Sequence, residues 1–95
     1  MKGYVYILQS LKNQRFYIGS TNDLERRFLE HNSGKNKYTS LNKPFKIVFS
    51  QEYDDISQAR KVEFKLKSFK SRKILEKIIN DGFCKINVSD ARLKP

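Results

Sequence analysis

Leu24, Arg27, Phe28 and His31 pose the chemical question in this chain. Their i, i+3, i+4, i+7 spacing is that of a core-facing helical stripe. Half of that stripe is an arginine and a histidine. The stretch around Glu63 repeats the pattern: Ala59, Val62, Leu66 and Phe69 space as an apolar helical face, and Glu63 falls on or beside it. A carboxylate there must find a cation, a donor or a metal, or give up its charge. Upstream, Tyr4 and Tyr6 alternate on one segment and Tyr17 and Gly19 on the next. An arginine can grip a phosphate, a histidine or tyrosine can exchange a proton, and a carboxylate oxygen suits a hard divalent metal. Together such groups suit hydrolysis of a phosphodiester.

Each residue alone has an ordinary role: Glu63 in an ion pair with Arg27 or a lysine, His31 as a hydrogen-bonded structural histidine, the tyrosines as core aromatics with satisfied hydroxyls. Coincidence weighs against this. A small core does not cheaply hold Tyr, Arg, His and Glu at inward positions on four separate elements.

The elements that must position them follow from pattern. KGYVYILQS alternates with period two and predicts a strand over about 3–9, with Tyr4, Tyr6 and Leu8 on one face. After the polar LKNQ, RFYIGS predicts a second strand over about 15–20, and the short gap an antiparallel hairpin. Thr21 or Asn22 can cap the helix that follows, with Asp23 and Glu25 suiting its N-terminus. It runs to about Asn32, with a stop at Gly34. A basic loop, GKNKYTSLNKP, leads to a third strand, PFKIVFSQEY, with Phe45, Ile47 and Phe49 on one face. Val48 on the other face predicts a sheet covered on both sides. A second helix spans about 57–69 with Ser57 as its cap, SFKSRK is a break, and ILEKIIN forms a short third helix to about Asn80. The fold class is α+β: three antiparallel strands flanked by helices. Residues 1–82 form the domain, and 83–95 a tail holding a short strand or wrapping the surface.

The 95 residues carry 20 Lys and Arg against 10 Asp and Glu, a net charge of +10. That excess is the electrostatic footprint of a nucleic-acid binder. Between Arg60 and Lys77 there are eight basic residues and only two acids, Glu63 and Glu76; Lys61, Lys65, Lys67 and Lys70 are candidate phosphate contacts beside Arg27. Cys84 is the only cysteine, so no intramolecular disulfide forms, and one Cys with one His does not make a zinc site. No apolar run is long enough to span a membrane, and MKGYVYILQS lacks a signal-peptide core. The expected compartment is the cytoplasm.

These residues resemble the GIY-YIG nuclease domain. Its first half-motif resembles Tyr4-Val5-Tyr6, and the second is matched by Tyr17-Ile18-Gly19. The family's arginine and histidine, four residues apart on the first helix, match Arg27 and His31, and its metal-binding glutamate matches Glu63 in QARKVEFKLKSFKSRK. HNSGKNKYT and the Glu63–Lys67 pair look like the small stand-alone, excinuclease-subunit-like (UPF0213-type) subgroup. The match covers about residues 3–80. Two departures stand out: the first half-motif keeps only its final tyrosine, and the family's later asparagine matches Asn80 or Asn87.

The resemblance implies a three-stranded antiparallel sheet flanked by helices and cutting of DNA with one divalent metal, Mg²⁺ or Mn²⁺, in DNA repair or processing. It implies Tyr17 as general base, Tyr6 orienting the water, Arg27 on the scissile phosphate, His31 positioning or relaying a proton, and Glu63 holding the metal. Gly19 is then a backbone device for a tight turn or a close phosphate. DNA is the expected partner, with no membrane and no obligate protein partner. A nucleic-acid-binding module of the same fold that cuts poorly is the alternative. A membrane-surface protein is disfavoured because no Leu/Trp-rich amphipathic face is evident.

Overall fold

The computed structural model describes residues 2–33 and 42–83. The helix stop expected at Gly34, most of the basic loop, Cys84, Asn87 and the tail beyond Phe83 lie outside the described residues. The elements run β1 (Gly3–Ser10), β2 (Phe16–Thr21), α1 (Leu24–Ser33), β3 (Phe45–Tyr53), α2 (Ile56–Phe69) and α3 (Arg72–Asp81). The strands form one antiparallel sheet in the order β2-β1-β3. This is the α+β architecture that the alternation of patterns predicts.

The hairpin from β1 to β2 turns on Ser10. Its fully buried hydroxyl accepts from the Lys12 and Asn13 amides at 3.1 and 3.2 Å and donates to the Asn42 carbonyl at 2.6 Å. The turn is thereby tied to the chain entering β3. Gln14 takes the left-handed conformation, at φ 67°.

The central strand β1 is buried on both faces. Val5 and Ile7 join Phe49, Ala59, Val62, Leu66 and Leu75 under α2 and α3. Tyr6 and Leu8 join Phe45 on the opposite face, with Tyr17, Leu24 and Phe28 packed against them beneath α1. Burying each of the Val, Leu, Ile and Phe side chains among them stabilises the fold by about 1.5–3 kcal/mol.

One sequence expectation fails on β3. Phe45 belongs to the α1 side and Phe49 to the α2 side. Ile7 pairs with Phe49 but Leu8 pairs with Ile47, so Val48 is an extra residue bulged out of the ladder. A bulge shifts the period-two alternation by one, and the residues on either side of it face oppositely.

The caps also differ in detail. The Asp23 carboxylate, rather than Thr21 or Asn22, accepts from the Arg26 amide at 3.1 Å. Asp55, not Ser57, caps α2, accepting from the Gln58 amide at 2.9 Å; Ser57 donates its hydroxyl to that carboxylate. The break after Phe69 is a left-handed Lys70, at φ 50°, followed by Ser71, which caps α3 two residues earlier than the apolar pattern suggests. Gly82, at φ 79°, closes α3 and donates its N–H to the Ile78 carbonyl.

Candidate active site

The site lies at the β2 edge of the sheet, where groups from both faces meet. A cleft of about 690 Å³ is lined by Tyr6, Tyr17, Arg27, His31 and Glu63 together. Five residues proposed from four sequence segments therefore share one opening.

Tyr6 reaches it from the central strand. It pairs directly with Gly19 on β2, and its phenol lies across that glycine. A Cβ added at Gly19 would overlap the Tyr6 hydroxyl and Cζ and stand 3.0 Å from Cε1. The glycine makes room for a tyrosine side chain, not for a tight turn. The Tyr6 hydroxyl, buried, lies 3.1 Å from His31 Nε2. The Arg27 guanidinium lies near enough to interact electrostatically with the same hydroxyl. Arg27 can only donate, so a cation on that side favours the arrangement in which the tyrosine oxygen faces Arg27 and its O–H faces His31 Nε2, with the imidazole proton on Nδ1.

Burial raises the Tyr6 pKa above its ordinary value, opposed by the interaction with Arg27. Burial, then the Arg27 charge, lowers the His31 pKa. Both groups are thus neutral near pH 7, the phenol protonated and the imidazole uncharged. The interaction with Tyr6 is the largest factor raising the Arg27 pKa, so Arg27 is a permanent cation. Its Nη1 also meets Glu30 Oε1 at 3.1 Å. The His31 ring further stands edge-on to Phe45, with centroids 6.3 Å apart.

Tyr17 is half-buried, its ring edge-on to Phe45 at 5.1 Å. Its hydroxyl accepts from the Asn42 side-chain amide at 2.6 Å. Asn42 is a site neighbour the sequence reading missed. Only its place in the basic loop after the first helix hinted at it.

Glu63 comes from the other face of the sheet. Its Oε1 accepts from the Ser20 hydroxyl, and its Oε2 meets Lys67 Nζ at 2.7 Å. Of the two partners that the sequence offers Glu63, Arg27 or a nearby lysine, the structure takes the lysine. Tyr6 still senses the charges of both Glu63 and Lys67.

The candidate lysines divide. Lys67 and Lys70 line the cleft with Arg15, Ser71 and Arg72. Lys61 and Lys65, two residues to either side of Glu63, are rotated about 200° from it around α2 and lie outside the cleft. Lys65 instead stands 5.8 Å from the Phe69 ring. Arg72, which the sequence reading passed over, lies 4.2 Å over the Phe16 ring and donates to the Gln14 carbonyl at 3.0 Å, fastening α3 to the hairpin. Exposed Asn80 sits near the end of α3 and does not line the cleft.

Among the described residues no three of His, Cys, Asp and Glu cluster as metal ligands. The oxygen donors at the cleft are one carboxylate, whose second oxygen the Lys67 ammonium also holds, and the Ser20 hydroxyl beside it. That fits Mg²⁺ or Mn²⁺, which keep several waters and take one or two carboxylates. It does not fit zinc, which wants three or four protein ligands.

Comparison with known proteins gives a consistent picture. Residues 2–77 match the model of the GIY-YIG catalytic domain. A UPF0213 protein of Staphylococcus saprophyticus is 37% identical over 82 residues, covering 85% of this chain and 98% of that protein. One from Oceanobacillus iheyensis is 36% identical over 77 residues, covering 77% of this chain and 88% of that protein. The solution NMR structure of a UPF0213 protein from Bacillus halodurans superposes with a TM-score of 0.55 at 30% identity, covering 100% of both chains.

Proposed function

The chain belongs to the GIY-YIG catalytic-domain family, a family of nucleases, and from that premise we propose that it is an endonuclease hydrolysing DNA phosphodiester bonds with a divalent metal. The observation that carries the reading is the convergence of Tyr6, Tyr17, Arg27, His31 and Glu63 on one cleft. The cationic wall of Arg15, Lys67, Lys70 and Arg72 suits a polyanion. The likeness to the excinuclease-like subgroup supports a cytoplasmic role in DNA repair or processing.

The geometry supports a specific division of labour. A general base needs somewhere to send the proton it takes. The Tyr6 hydroxyl has such an acceptor in His31 Nε2, at 3.1 Å. We therefore assign activation of the attacking water to Tyr6, which passes its own proton to His31 as it takes one from water. Tyr17, steadied by Asn42, orients that water. This exchanges the roles the resemblance alone implies for the two tyrosines. Arg27, which shares the cleft with Tyr6 and interacts electrostatically with its hydroxyl, stands where it can both stabilise a developing phenolate and grip the scissile phosphate. Glu63 would hold Mg²⁺ or Mn²⁺ with water completing the shell, and the metal supplies positive charge for the leaving oxygen.

The test is nicking of a panel of duplex, branched and single-stranded DNAs with and without Mg²⁺ or Mn²⁺. Metal-dependent nicking is expected, lost in Glu63→Gln and in Tyr6→Phe while DNA binding persists. Binding to every substrate with cleavage of none makes the protein a nucleic-acid-binding module instead.

A further inference from the structure

Glu63 is already occupied at both oxygens. Ser20 donates to Oε1, and the Lys67 ammonium stands 2.7 Å from Oε2. Ser20 is neutral and can remain when a cation arrives. Lys67 cannot, because an ammonium and a divalent ion at one carboxylate oxygen repel. The side chains differ in freedom too: the Glu63 side chain is 21% exposed and that of Lys67 56%. The carboxylate is held by its helix face and by Ser20, while the lysine has open cleft to swing into.

Resting on the assignment of Glu63 as metal ligand, we propose that Lys67 is a displaceable placeholder: it neutralises Glu63 until a divalent cation takes the carboxylate, and the released ammonium then binds a DNA phosphate in the cleft. The same charge thereby shields the carboxylate until the metal arrives and couples metal binding to substrate binding. Lys67 lines the cleft with Arg15, Lys70 and Arg72, so a freed ammonium remains within reach of a backbone bound there. The exchange raises the net charge at Glu63 from zero to +1, since a 2+ ion replaces one ammonium, and the released ammonium neutralises a phosphate instead. An ion pair at this exposure is modest in strength and is readily displaced. Metal and DNA each help the other, because coupling between two ligands is reciprocal.

Mn²⁺ affinity, measured by calorimetry in the absence of DNA, tests the first half. Lys67→Met should bind Mn²⁺ about 1.5- to 5-fold more tightly than the wild type, the effect of removing a competing partially exposed pair. Lys67→Arg, which keeps the charge, should not. The second half is read in the cleavage-deficient Tyr6→Phe background. There Mg²⁺ should steepen the salt dependence of DNA binding by about one phosphate contact, a slope of about 0.9. Adding Lys67→Met should abolish that change. Unchanged or weaker Mn²⁺ binding in Lys67→Met overturns the proposal, as does an Mg²⁺-induced steepening that survives it. Glu63→Gln separates the two levels. If Glu63→Gln binds Mn²⁺ like the wild type, the metal assignment itself fails. If Glu63→Gln loses Mn²⁺ while Lys67→Met gains nothing, only the placeholder fails.

Discussion

The Tyr6 hydroxyl and the His31 Nε2 lie 3.1 Å apart, joining the central strand to the first helix through one buried hydrogen bond. Neither partner needs to be charged for that bond, and burial opposes charging either. The pair is a neutral phenol and a neutral imidazole in the wall of a cationic cleft. Because proton transfer through it involves both residues, their effects on cleavage should not add. Tyr6→Phe and His31→Gln are each expected to slow cleavage by about 10²–10⁴-fold, with the double variant no slower than the slower single one. Single-turnover nicking of a labelled substrate measures all three, and multiplicative losses show that the two act separately.

The lowered His31 pKa fixes the sign of two pH effects. His31 must be neutral to accept the proton, so cleavage should be full at pH 7 and fall only below the ordinary histidine value of 6.5, on a single acidic limb. Stability follows the same direction. With a folded-state pKa below the unfolded one, the unfolded chain binds more protons in acid, and stability declines as pH drops through 6.5. In His31→Gln that part of the decline should vanish. Urea unfolding between pH 5 and 8, compared in the two proteins, reads the difference; parallel curves would show that His31 is not the group responsible.

Gly19 offers a steric test. It does not have a positive φ, so the glycine is not there for its backbone. Alanine should fit the chain but strike the Tyr6 phenol. Overpacking of this kind costs about 1–3 kcal/mol. Gly19→Ala should therefore lower the unfolding midpoint and displace the Tyr6 hydroxyl, reducing cleavage with it. In a Tyr6→Ala background the same substitution should cost much less, because the obstructing ring is gone. Equal costs in both backgrounds would show that Gly19 serves the backbone after all.

The sequence showed the hairpin, the two covered faces and the inward polar groups, because period-two and period-3.6 patterns record burial directly. It misassigned the faces of β3, since a one-residue bulge at Val48 leaves no mark in composition yet inverts everything beyond it. Side-chain partners were less visible. That Tyr6 rather than Tyr17 meets His31 depends on strand register, and register emerges only when Tyr6 is set opposite Gly19. The sequence left Glu63 a choice between Arg27 and a lysine; Lys67 is taken because α1 and α2 lie on opposite faces of the sheet, and Ser20 on the other oxygen was not visible. Asn42 and Arg72 act through loop geometry and ring stacking, which have no periodic signature.

The basic stretch from Arg60 to Lys77 provides the last test, because the fold sorts charges that the sequence leaves equivalent. Lys70 and Arg72 border the cleft, whereas Lys61 and Lys65 point away from it around α2. All four add to the protein's long-range positive field, but only the first two can sit against a backbone held at Tyr6 and Glu63. Reversal at Lys70→Glu should weaken DNA binding and reduce the salt slope by about 0.9, the share of one phosphate contact. Lys61→Glu and Lys65→Glu should slow association at low salt through the field alone, leaving the slope near the wild-type value. Fluorescence anisotropy across a salt series distinguishes the two. Arg72→Glu carries a second cost, since it also removes the guanidinium over Phe16 and its bond to Gln14, so its thermal midpoint should fall while that of Lys70→Glu does not. If Lys61→Glu lowers the slope as much as Lys70→Glu, DNA runs along the outer face of α2 and bypasses the cleft.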